Sequence, residues 1–230
     1  MAAFTLSLPD RYALAFFFVA IVFYSYITSW RPFAARSIAG AVQRQRERWM
    51  QNMAGREMRM VDAQLLAALS QGNAFFASTS AIIIGGLLAT VGSGEKVQAL
   101  LERLPFVPAS TPVEFEMKLL LMVTLFVFAF FKFAWAFRLS HYAGIMIGAT
   151  PILDASNQQA CEAHALRTAR LIGIAADHAN AGLRSYYFAI AALAWFFHPL
   201  ALLAATIWVL LILVRRDFFS RSRRLMVIID

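Results

Sequence analysis

Charged residues are scarce in this chain of 230 residues: they make up 15%, against 60% hydrophobic. That balance belongs to an integral membrane protein and leaves little mass for a soluble domain. Cysteine occurs once, as Cys161, so no intramolecular disulfide is possible and the redox compartment stays open. The sequence has no Gly-rich phosphate loop, nucleophile elbow, Cys-x-x-Cys pair or His-Glu-x-x-His helix. Its first apolar run has neither a basic region before it nor a small-x-small cleavage site, so it reads as a retained span rather than a signal peptide.

The remaining candidates for chemistry are few. His164 and His178 fall on one helical stretch, fourteen positions apart. That is ~21 Å along a helix, too far for one metal to join both. Asp177 and His178 are neighbours, and adjacent helical residues point about 100° apart, so they do not face one substrate. We therefore expect no metal, no cofactor and no enzymatic activity, with a membrane enzyme at Asp177, His178 or His164 as the weakest alternative.

Long apolar runs are abundant. The organising one is Gln64–Gly92, QLLAALSQGNAFFASTSAIIIGGLLATVG, which carries no charge. A transmembrane helix needs roughly 20 mostly apolar residues, and only a helix or closed barrel satisfies its own backbone in lipid. Gln64, Gln71, Ser78, Gly85 and Gly92 recur every seven residues and share one face, with Asn73 and Ser80 close by. Ala77, Ala81, Gly85 and Ala89 repeat every four, a spacing that lets helix backbones approach closely. The face therefore serves either helix packing or a water-lined pathway, and in both cases it should avoid lipid.

The periodicity predicts an all-α polytopic membrane protein with four spans, at about 11–29, 65–91, 117–137 and 185–214, plus amphipathic cytoplasmic helices. Lys132 sits inside the third span, either snorkelling beside Trp135 towards the headgroups or forming a buried charge site. The basic connector 30–64 carries a narrow stripe of Ile38, Val42, Trp49, Met53 and Met60, suited to the membrane surface or to a partner helix. Its arginines need no partner beyond water and lipid phosphates. In the connector 138–184, Gly144, Gly148 and Pro151 should break the chain early, and Asp154 or Ser156 should then cap a helix over about 155–179. His198-Pro199 interrupts the last run, which is most simply one kinked span.

The net charge of +8, mostly from arginine, points to anionic lipid headgroups rather than nucleic acid as the partner. Arginine bias makes both connectors cytoplasmic and the loop Ser93–Glu116 external. Four crossings then leave the five arginines of the tail, Arg215, Arg216, Arg221, Arg223 and Arg224, outside, against the rule. A hairpin at His198-Pro199 would repair this with arms of only ~21 Å, short of a ~30 Å core.

Three stretches carry a family likeness: MRMVDAQLLAALSQGNAFFASTSAIIIGGLLATVGS, FKFAWAFRLSHYAGIMIGATP and RSYYFAIAALAWFFHPLALLAATIWVLLILVRRDF. They resemble the bacterial domain-of-unknown-function family 599, over nearly the whole chain and most specifically over Met60–Ser93. The resemblance implies a multi-pass protein of the bacterial cell (inner) membrane with four helices, and it brings no catalytic residue. The functional expectation is a small homo-oligomeric channel or transporter for ions or small solutes, with span 65–91 lining or gating the path. The alternative is a non-catalytic scaffold that binds lipid or a partner through the basic connectors.

Overall fold

A computed structural model describes residues 6–91, 94–101, 103 and 111–227. Much of the expected outer loop 93–116 and the last residues of the tail lie outside this set. Among the described residues the chain forms α1 (Leu8–Ser29), α2 (Arg31–Arg36), α3 (Ile38–Ala54), α4 (Met60–Val91), α5 (Gly94–Leu101), α6 (Pro112–Gly148), α7 (Gln158–Leu193), α8 (Pro199–Phe219) and α9 (Arg221–Met226). A short 3-10 turn, Ala194–Phe196, joins α7 to α8. The fold is all-α, and four helical stretches, Leu8–Thr28, Met60–Val91, Pro112–Gly148 and Pro199–Met226, are long and apolar enough to cross a membrane.

The helix starts follow local chemistry. Ser7 accepts from the Asp10 amide at the head of α1, with Pro9 in the first turn. Thr111 and Glu114 form a capping box before α6, with Pro112 just inside. α7 begins later than expected: Asp154 accepts from the amides of Ser156 and Asn157, holding a turn, and the helix opens at Gln158. Neither Asp154 nor Ser156 is the cap.

Gly144 does not end the third span. α6 runs 37 residues to Gly148, ~55 Å, well beyond the ~30 Å that lipid requires. A helical glycine costs about 1 kcal/mol, and here the buried neighbours Ala143 and Ile147 offset it by packing on α3 and α7. α7 lies antiparallel to α6 along its whole length. Ala165 and Ala169 meet Ala143 and Ile147 at one end. In the middle Ser185 donates to the Leu125 carbonyl at 2.7 Å, and at the far end Phe196 meets Phe115 at 5.6 Å between ring centres. The stretch 138–184 is thus the ends of two long helices rather than a separate connector.

The apolar run 185–214 is not one kinked helix. His198 is extended, its Nδ1 accepts from the Leu200 amide, and Pro199, which has no N–H to continue the preceding ladder, starts α8 in a new direction. α8 doubles back. Next to its start, Trp195 Nε1 donates to Asp10 at the head of α1, and near its end Asp217 accepts from Tyr24 in the last turns of α1, both at 2.7 Å. α8 is therefore parallel to α1 and antiparallel to α7. Its 21 residues span ~32 Å, so the hairpin arm is not short.

This reversal removes the conflict over the tail. Arg223 donates to the Arg36 carbonyl at 2.5 Å and Gln45 to the Met226 carbonyl at 3.3 Å, so the tail and the first connector share one end of the bundle. The connector itself is folded. α3 buries Ala41, Met50 and Met53, and Gln43 reaches the Ala169 carbonyl at 3.3 Å, in space that Gly173 leaves open. Of the two expected settings for this amphipathic helix, the partner helix is the one realised, and that partner is α7. Met60, assigned to the same stripe, instead begins α4 and is exposed.

The main core joins α1, α6, α7 and α8 through Phe17, Met122, Phe126, Phe188, Trp195, Leu202 and Leu213. α4 stands outside it, against α6, with only 11% of its most apolar window buried, the least of the four candidate spans.

Candidate functional site

α4 turns one face inward and leaves the other open. The inward face holds Leu66, Ala77 and Ser80. Phe76 stacks on Phe133 of α6 at 5.1 Å between ring centres. Ser80 is fully buried, donates to the Phe76 carbonyl at 2.8 Å and lies 3.0 Å from the Tyr186 hydroxyl. It joins α4 to α7 as an internal polar clamp, apart from the open face.

Gln64, Gln71, Ser78 and Gly85 are all exposed on the outer side of the protomer, and Asn73 is half-buried. Among the described residues none of the side chains of Gln64, Gln71, Asn73 and Ser78 has a hydrogen-bond partner, and a Cβ added at Gly72, Gly85 or Gly86 would meet open space. Gln64 and Gln71 line a groove of ≈ 680 Å³ between α4 and α6, with Ser70, Ser140 and His141. Ser140 is bonded to the Ala136 carbonyl, whereas the Ser70 hydroxyl, buried in the same groove, has no partner among the described residues. Ile83 and Leu87, on the opposite side of α4, pack against the main core.

The shared basic end contains the densest polar structure. Asp62, 2% exposed, accepts from Trp49 Nε1 at 2.7 Å and from Arg56 at 2.6 Å. Arg59 donates to the carbonyls of Thr150 and Pro151. These two arginines were expected to need only water and lipid; instead Arg56 ties the turn between α3 and α4 to the start of α4, and Arg59 ties it to the end of α6.

A cavity of ≈ 560 Å³ lies where α1, α2, α3, α7 and α8 meet. Arg46, Arg184 and Arg216 line it, with Asp177, Asp217 and Asn180. Asp217 is committed: its carboxylate accepts from Tyr24 at 2.7 Å and from Arg216 at 2.8 Å. Arg216 also lies over the Tyr187 ring, 5.5 Å from its centre. Arg46 reaches Gln43 at 3.5 Å, while Arg184 and Asn180 make no side-chain hydrogen bond among the described residues. Burial pushes the Arg46 guanidinium below its usual range, opposed by Asp177. Loss of water also raises the Asp177 carboxyl, though Arg46, Arg184 and His178 pull the other way.

Lys132 has no carboxylate within ion-pair distance among the described residues. Its ammonium sits over the Phe128 ring, 5.2 Å from the centre, in a shallow groove with Trp135, Arg138 and His178. His178 and Asp177 therefore line different grooves. His164 Nε2 lies 2.8 Å from the Met146 carbonyl, tying α7 to α6. Among the described residues Lys118 of α6 is a buried cation, 8% exposed, which faces the Trp195 ring at 5.6 Å near the opposite end of the bundle.

Sequence reasoning missed Lys118, Arg184 and Asp217, and it expected Tyr24 at the lipid–water boundary with Tyr26 and Trp30, whereas Tyr24 is buried against Asp217. Only Asp217 left a signal, as a lone acid directly after Arg215 and Arg216.

Helical architecture, four apolar helices of membrane-crossing length and a polar end rich in arginine point to the class of α-helical membrane proteins. The chain belongs to the family described as "Protein of unknown function, DUF599", whose model matches residues 12–222. Comparison with curated proteins and with solved structures finds no match.

Proposed function

We propose that the protein is a homo-oligomer of the bacterial inner membrane in which α4 meets other copies and lines or gates a path for ions or small solutes. The observation that carries this reading is the open face of α4. Gln71 and Ser78 flank the depth at which Phe76 stacks on Phe133, yet their polar groups have no partner among the described residues. A glutamine amide left unpaired in hydrocarbon costs on the order of several kcal/mol, and a second copy or a column of water removes that cost. The unpartnered, buried Ser70 hydroxyl in the adjoining groove points the same way. The arginines of the first connector and the tail share one end, which supports placing that end in the cytoplasm.

Reconstituted protein should pass an ion or small solute across liposomes, and single cysteines along 64–91 should react with a water-soluble thiol reagent at helical intervals centred on Ser78. No flux across a broad panel, with no reactive position on this face, would defeat the pathway and leave packing between copies.

The basic end supports a second reading, a scaffold that binds anionic lipid or a partner. Arg44 and Arg48 are exposed on α3, and neutralising both should abolish recovery of that partner if this reading holds.

A further inference from the structure

We propose that the cavity lined by Arg46, Arg184, Arg216 and Asn180 is a binding site for a phosphate-bearing anion. This goes beyond the pathway reading and does not depend on it, because the cavity lies within one protomer, away from the open face of α4.

The argument rests on charge and valence. Three arginines and two aspartates line the cavity, an excess of one positive charge. Asp217 is already occupied by Tyr24 and Arg216. Arg184 is half-buried and offers a guanidinium with no hydrogen bond among the described residues, and the Asn180 amide one helical turn before it is equally free. A guanidinium is a planar fork of donors suited to two oxygens of one anion, and it keeps its charge when desolvated. Arg46, on a different helix, presents a second cation to the same space.

Volume and depth narrow the ligand. A space of ≈ 560 Å³ is larger than a bare ion requires and lies within the range of small-molecule sites. Thr28, Ala34 and Ser37 line it where α1 turns into α2 and α3. At that turn Trp30 stands between Tyr26 and Phe33, at 6.1 and 5.7 Å between ring centres, and all three rings are exposed. Such aromatic clusters favour the lipid–water boundary, the depth of phospholipid headgroups. Asp177, also among the lining residues, would accept from a hydroxyl carried beside the phosphate. The phosphate has two possible sources, a phospholipid headgroup or a soluble phosphate.

The full chain in detergent is titrated in three arms: phosphatidylglycerol, inorganic phosphate, and diacylglycerol as the phosphate-free control. Thermal midpoint and bound lipid by native mass spectrometry are read together. Phosphatidylglycerol or inorganic phosphate should raise the midpoint and diacylglycerol should not, and whichever phosphate acts identifies the source. Arg184→Gln should weaken binding at least tenfold. Arg46→Gln, which removes only one 3.5 Å hydrogen bond, should do the same with the fold intact, so that loss of folding in the first variant does not spoil the test. Equal stabilisation by diacylglycerol, no response to either phosphate, or unchanged binding in whichever of the two variants is folded would each overturn the proposal.

Discussion

Tyr24 donates its hydroxyl hydrogen to Asp217 across 193 positions of sequence, at 2.7 Å and in a buried setting. That bond ties the end of α1 to the end of α8 and presets Asp217 towards Arg216. Tyr24→Phe keeps the ring and leaves a buried carboxylate oxygen unpaired, a loss of about 1–3 kcal/mol. A lower thermal midpoint in detergent checks this. Asp217→Asn combined with Tyr24→Phe should cost less than the sum of the two, because they remove one shared interaction.

Asp62 is the acceptor on which the α3–α4 turn depends. Trp49 and Arg56 both donate to its Oδ1. Asp62→Ala should cost about 1.5–3 kcal/mol per charge-assisted bond lost, while Arg56→Ala, whose side chain is 48% exposed, should cost less. Proteolysis at the turn 55–59 should rise in the first variant more than in the second.

Two glycines should respond oppositely. A Cβ at Gly182 would meet the Phe133 ring at 2.7 Å, and Phe133 is held by its stack on Phe76. Gly182→Ala should therefore lower protomer stability by about 1–3 kcal/mol through overpacking. Gly85→Leu has open space around it, so it should leave the protomer fold intact and disturb only assembly or flux. Native mass spectrometry and a melting curve separate the two effects.

Topology is testable by labelling. Tags inserted near Gln51 and after Met226 should be reachable from the same side of the membrane, since Arg223 and Gln45 hold the tail against α2 and α3. Opposite accessibility would contradict the α7–α8 hairpin.

The number of apolar helices was readable because lipid imposes a length and a composition on each, and α1, α4 and α6 contain the expected intervals 11–29, 65–91 and 117–137. Their ends were less readable. α6 and α7 continue past the apolar segments because Ala143, Ile147, Ala165 and Ala169 form a second core outside the main one, and small apolar residues among polar ones make a weak periodic signal.

What the sequence determined by itself was the helical membrane class, the family, and the polar line Gln64–Gln71–Ser78–Gly85 on one side of α4, since seven-residue spacing is a property of the helix alone. Tertiary structure alone decided that Ser80 faces inward to Tyr186 while that line stays open. It also decided that His198-Pro199 reverses the chain and that Arg46, Arg184, Arg216 and Asp217 share one cavity. The physical reason is that local propensity states where a helix stops, not which way the next one leaves. Once α8 packs back along α1, charges from three distant segments meet at one end of the bundle.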